Sequence, residues 1–121
     1  MPLFEWTEGV RYYKMTFTAA ELEVIKVACT SKADSEYGRM DAAAGEGLDR
    51  FVAQAQKVRD YEVAGEIVAG LKPGQPVLLA AVDIRPLQEC LRAYCQEAAG
   101  DRLAIAKSAL KKIDEACQTK G

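Results

Sequence analysis

Between Met15 and Lys32 the spacing of apolar residues changes from that of a strand to that of a helix, and the change falls at one short motif. Met15 and Phe17 alternate with Thr16 and Thr18. Leu22, Ile25 and Cys29 then follow one helix face, widened by Val24, Val27 and Ala28. Thr18-Ala19-Ala20-Glu21, between them, has the Thr-x-x-Glu form of a capping box, in which each side chain accepts from the other residue's backbone N–H. Such a cap is worth about 1 kcal/mol. The pattern predicts a strand running into a capped helix from Ala19 to about Thr30, and the breadth of its apolar face makes that helix the centre of the core.

Upstream, Leu3-Phe4-Glu5-Trp6, a Thr7-Glu8-Gly9 turn and Val10 to Phe17 read as a β-hairpin, with Tyr13, Met15 and Phe17 on one face. Downstream, Ser31 to Gly47 loses periodicity. It predicts an irregular connection with a frayed helical start at Asp41. Leu48, Phe51, Val52, Ala55 and Val58 define the next helical face, and Tyr61, Ala64, Val68 and Leu71 form a second set offset from it. Arg59-Asp60 therefore marks a kink, a break or a change of packing partner. Gly65 and Gly70 leave an edge strand over Glu66 to Leu71 as an alternative, but helix is preferred because the charged residues fall on the opposite side.

Lys72-Pro73-Gly74-Gln75 carries the proline and glycine of a type II turn. Pro76 to Val82 reads as a strand beside the hairpin, and Asp83 as the cap of a helix from Ile84, with Pro86 admitted by its first turn. Ile84, Leu87, Leu91, Tyr94 and Ala98 line that helix, which stops near Gly100. Asp101 opens the last helix, where Leu103, Ala106, Leu110, Ile113 and Cys117 keep a regular helical spacing.

The fold expected is α+β and helix-dominated, with about four helices on a small antiparallel sheet made of the N-terminal hairpin and the strand near 76–82, in a single domain spanning 1–121. Both halves run strand, cap, helix, connection, helix, and Leu48, Ala55 and Val58 match Leu103, Leu110 and Ile113 at one offset. A pseudo-duplication of this kind predicts two strand regions that meet.

Composition narrows the chemistry. A chain of 121 residues, half of them hydrophobic, can remove roughly two-thirds of its unfolded surface from water. With 18 acidic and 16 basic residues it has no strong field to draw in nucleic acid or anionic lipid. Met1 to Trp6 lacks the form of a signal peptide, and no apolar run approaches the roughly 18 residues that span a bilayer, so a soluble cytoplasmic protein is expected. Cys29, Cys90, Cys95 and Cys117 sit in helical patterns without a Cys-x-x-Cys pair and read as reduced, buried small hydrophobes. Histidine is absent, which removes Ser-His and Cys-His dyads and histidine-containing zinc sites. Glu62 and Glu66 share a helix face and read as solvated rather than as a cation site, and Gly45-Glu46-Gly47 lacks the Lys-Ser/Thr of a phosphate loop. No catalytic residue, cofactor or metal is expected.

The leading functional expectation is a small non-enzymatic regulatory protein that binds another protein, or a second copy of itself, and a phage or mobile-element accessory or inhibitor protein is one setting for it. Its candidate contacts are Tyr37, Arg39 and Met40 in the aperiodic stretch, and Leu103, Leu110 and Ile113 on the last helix, whose stripe exceeds the needs of one small core. An alternative is a nucleic-acid-associated regulator using Lys107, Lys111 and Lys112. A third is a small-ligand sensor built on Trp6, Tyr12 and Tyr37.

Overall fold

The computed structural model describes residues 11–118. The first arm of the expected hairpin, its turn and Trp6 lie outside them. Strand β1 (Tyr12–Met15) pairs antiparallel with β2 (Val77–Ala80), Tyr12 opposite Ala80 and Met15 opposite Val77. The helices are α1 (Ala19–Tyr37), the short α2 (Met40–Gly45), α3 (Leu48–Ala69), α4 (Ala81–Glu97) and α5 (Gly100–Gln118). Four long helices on a two-stranded sheet make the helix-dominated α+β fold expected from the sequence. The two strand regions do meet.

Alternation sets the sheet's faces. Met15 and Leu79 are buried with Tyr13 and Val77 packed beside them, while Tyr12 and Leu78 stand outside. Backbone bonds fasten both ends. Ala81 N–H donates to the Arg11 carbonyl at 2.9 Å, and Gly74 N–H to that of Phe17 at 2.8 Å. Gly74 holds φ +76° in its turn, a conformation that costs glycine little.

The capping box forms as its spacing demands. Glu21 N–H donates to Thr18 Oγ1 at 3.1 Å, and Thr18 N–H to Glu21 Oε1 at 2.9 Å. Helix α1 then packs on α3, α4 and α5 and carries much of the core: Ile25 and Cys29 are enclosed with Phe17, Leu87, Cys90, Leu91 and Ile113.

Three local expectations are corrected. Helix α1 does not end at Thr30 but continues through the polar stretch to Tyr37, and a second helix occupies Met40–Gly45. Ala33 and Glu36 face inward there. Lys32 meets Glu36 at 3.2 Å, and the Gln54 amide of α3 donates to the Glu36 carbonyl and, at 3.0 Å, to its carboxylate. A polar pair thus stands where the helical period asks for apolar residues. Second, of the alternatives at Arg59-Asp60 the break does not occur: α3 is continuous over 22 residues, which bears out the preference for helix over an edge strand at Glu66 to Ala69. A Cβ at Gly65 would meet Cys29 Cβ at 3.3 Å, so the glycine lets α1 and α3 approach closely. Third, α4 starts at Ala81 directly from β2, with Ala80 as an N-cap lacking a side-chain bond; Asp83 lies inside the first turn, near the positive helix end, and does not cap. Pro86 falls in the second turn. It leaves the Val82 carbonyl without its helical donor, at a residue 79% exposed where water can serve.

Carboxylates join the helices. Glu21 accepts from Ser108 Oγ at 2.7 Å and Lys112 Nζ at 2.6 Å, linking α1 to α5. Tyr61 OH donates to Glu89 at 2.7 Å between α3 and α4, and Gln88 to Asp114 at 2.8 Å between α4 and α5. Burial pushes the Glu21 carboxyl up, but bonds from Lys112, the Thr18 N–H and Ser108 outweigh it and hold the group below its ordinary value. At Glu36, burial is likewise outweighed by Gln54 and Lys32. The thiols are free; the Cys29 hydrogen bond, then burial, push Cys90 up and leave it unreactive.

Glu21→Ala removes the cap and leaves Lys112 without its carboxylate, so it should lower unfolding free energy by about 2–3 kcal/mol in urea titration, with Glu21→Gln costing less. An unfolded glutamate ionises around pH 4.5, and both folded groups ionise below that. Their stabilisation is therefore complete above that pH and is lost as pH falls through the lower folded values. Urea midpoints across acidic pH should drop there, less steeply in the Glu21→Gln, Glu36→Gln double variant.

Candidate functional site

Helix α1 ends at Gly38, whose N–H bonds the Asp34 carbonyl at 3.1 Å, and Arg39 N–H bonds the Glu36 carbonyl at 3.1 Å. The chain passes through α2 and turns at Gly47, φ +117°, into α3. The Gly47 carbonyl accepts from Phe51 N–H at 3.1 Å, which starts the helix. This corner brings the end of α1 and the beginning of α3 to one end of the molecule.

Large apolar side chains remain outside at that end. Leu48 is 75% exposed, Tyr37 67%, Val52 57% and Phe51 37%. At about 100° per residue, Leu48, Phe51 and Val52 cover under a third of the helix circumference. The sequence reading assigned these three to a core face with Ala55 and Val58, and the structure corrects it: Ala55 is half-buried and full burial begins only at Val58. Between Phe51 and Val58 the Gln54 amide reaches α1, so polar bonds help to anchor the first turns of α3. Burying Leu48 or Val52 against a partner would gain roughly 1.5–3 kcal/mol each.

Tyr37 and Arg39 are exposed and Met40 is half-buried at this same corner. The last-helix candidates are placed differently. Ile113 is fully buried, Leu110 packs against the core and Leu103 is half-buried, so this stripe serves the chain's own interior. The lysine face is also divided. Lys107 is exposed and Lys111 faces Glu115 at 3.9 Å, but Lys112 turns onto Glu21 instead of projecting away. Tyr12 stands on the sheet's outer face and Tyr37 at the end of α1, both exposed. Glu62 and Glu66 are solvated, each 4.0 Å from Arg59.

What the sequence reading missed is that α3's stripe is split between inside and outside. A signal was there: Gln54 borders the apolar face on the side of Val58.

The chain matches no protein-family model, and no curated protein or solved structure matches it. Among the described residues, no helix is long and apolar enough to cross a membrane.

Gln54→Ala should release the exposed corner. The loss of two donated bonds predicts about 1–2 kcal/mol of destabilisation and faster amide exchange over residues 48–55 than over 58–68, measured by hydrogen–deuterium exchange.

Proposed function

We propose that the protein acts without catalysis, by occupying another protein, and that Tyr37, Met40, Leu48, Phe51 and Val52 form its contact surface. The observation that carries this reading is the exposure of Leu48, Phe51 and Val52 on the first turns of α3, with Tyr37 exposed at the end of α1. A cluster of large apolar side chains held outward on an ordered helix is a surface that a partner covers. Tyrosine and methionine suit such contacts, one as a stiff anchor and the other as an adaptable filler. Arg39, Asp49 and Arg50 supply a charged rim, with Arg50 only 3.9 Å from Glu46. A regulatory role fits this surface. Its setting is the cytoplasm, where the free cysteines stay reduced.

Support also comes from what the polar groups are doing. Glu21, Glu36 and Glu89 are engaged between helices, and the Cys90 thiol is buried and held protonated. None is poised as a nucleophile or a general base.

The test is native mass spectrometry of the protein from its source cells, for the natural chain and a Leu48→Lys, Val52→Lys variant. The natural chain should carry a partner, whether a different gene product or a second copy, and the variant should lose it while keeping its melting temperature. Affinity for the recovered partner should fall about 100-fold. A bare monomer in both samples, or a partner retained by the variant, overturns the reading.

A further inference from the structure

Among the described residues the sheet has only β1 and β2, so β2 has one edge that faces no strand. The register says which backbone groups lie on that edge. Ala81 N–H donates to the Arg11 carbonyl, so residues 11 and 81 form a hydrogen-bonded pair, and alternation makes Tyr13 with Leu79 and Met15 with Val77 the next ones. Leu78 and Ala80 therefore turn their N–H groups away from β1, and Leu78 and Pro76 their carbonyls. Among the described residues nothing bonds to these four groups. The edge is also unguarded by charge: no charged residue stands from Gln75 to Val82, and Leu78, in its middle, is 65% exposed. The outer edge of β1, by contrast, carries the exposed Lys14, a residue of the kind that keeps strand edges apart.

We infer that β2 pairs antiparallel with β2 of a second copy, across a two-fold axis at Leu78, and so joins two small sheets into one. In this register Leu78 faces the partner's Leu78, and each donates its N–H to the other's carbonyl. Pro76 faces the partner's Ala80, whose N–H donates to the Pro76 carbonyl. The reverse bond is absent without loss, because proline has no N–H and the Ala80 carbonyl is already the first acceptor of α4. The edge thus complements itself, and only in this register. Centring the axis on Val77 sets the Leu78 carbonyl against the missing N–H of proline, and centring it on Leu79 sets the Leu78 N–H against the occupied Ala80 carbonyl. Ala81 lies level with the partner's Gln75, so the two α4 helices leave the joint edge at opposite ends. The contact is short, since a four-residue strand falls far below the roughly 20–30 residues a side of a stable interface. The dimer therefore forms at high concentration, with a dissociation constant of about 0.1 mM, and leaves the corner of α1 and α3 free for its own partner.

Sedimentation velocity on the full chain from about 10 µM to about 1 mM tests this. The natural chain and the Leu48→Lys, Val52→Lys variant should pass from monomer to dimer alike. Leu78→Lys and Leu78→Glu each set like charges face to face on the axis and should weaken association more than about tenfold, while an equimolar mixture of the two should restore it. In the natural chain the Leu78 and Ala80 amides should gain protection from hydrogen exchange as concentration rises, with Val77 and Leu79 protected throughout. The inference is overturned by a natural chain that stays monomeric at about 1 mM, by undiminished dimerisation of Leu78→Lys, or by a mixture that associates no better than its components. It is equally overturned if the Leu48→Lys, Val52→Lys variant alone loses the dimer, which assigns self-association to the corner, or if Leu78 and Ala80 are protected only when a different protein binds.

Discussion

A single carboxylate ties the beginning of this fold to its end. Glu21 closes the capping box that turns β1 into α1, and the same side chain accepts bonds from Ser108 and Lys112, 87 and 91 residues further on. With only 4% of its surface exposed, an ionised glutamate would be costly there without partners, and the three donors are what keep it charged. The link also sets how α5 lies. Ala106, Ala109 and Ile113 reach the core from the helix that Ser108 and Lys112 tether to α1. Beneath it, Phe17, Ile25, Leu87 and Leu91 supply the apolar burial, which carries no direction of its own.

Other polar links repeat the arrangement. Glu36 holds α3, Glu89 holds Tyr61 between α3 and α4, and Asp114 holds Gln88 between α4 and α5. Directional bonds of this kind select one helix arrangement among those that apolar packing alone would allow.

The same device explains the exposed end. Where α3 meets the end of α1 the contact is made by Gln54 and Glu36, and Leu48, Phe51 and Val52 are left over. An apolar anchor at that position would draw the first turns of α3 inward. The proposed protein contact thus has its origin in polar side chains that took positions between helices that apolar ones usually occupy.

Signals confined to one stretch of chain were legible beforehand. Thr18 to Glu21 specified its cap, Lys72 to Gln75 its turn, and the alternation from Tyr13 to Phe17 the inner face of the sheet, because each depends on backbone geometry within a few residues. Element types and the helix-dominated α+β class followed from periodicity. The candidate corner at Tyr37, Arg39 and Met40 was visible as aperiodic chain, though not as helix ends. Partnerships across the chain were not legible. The continuation of α1 past Thr30 needed Gln54 opposite Glu36, the inward turn of Lys112 needed Glu21, and the burial of Ile113 against the exposure of Leu48 needed the positions of all four long helices. The sequence determines how apolar a side chain is, while the packing of distant elements decides whether anything stands in front of it.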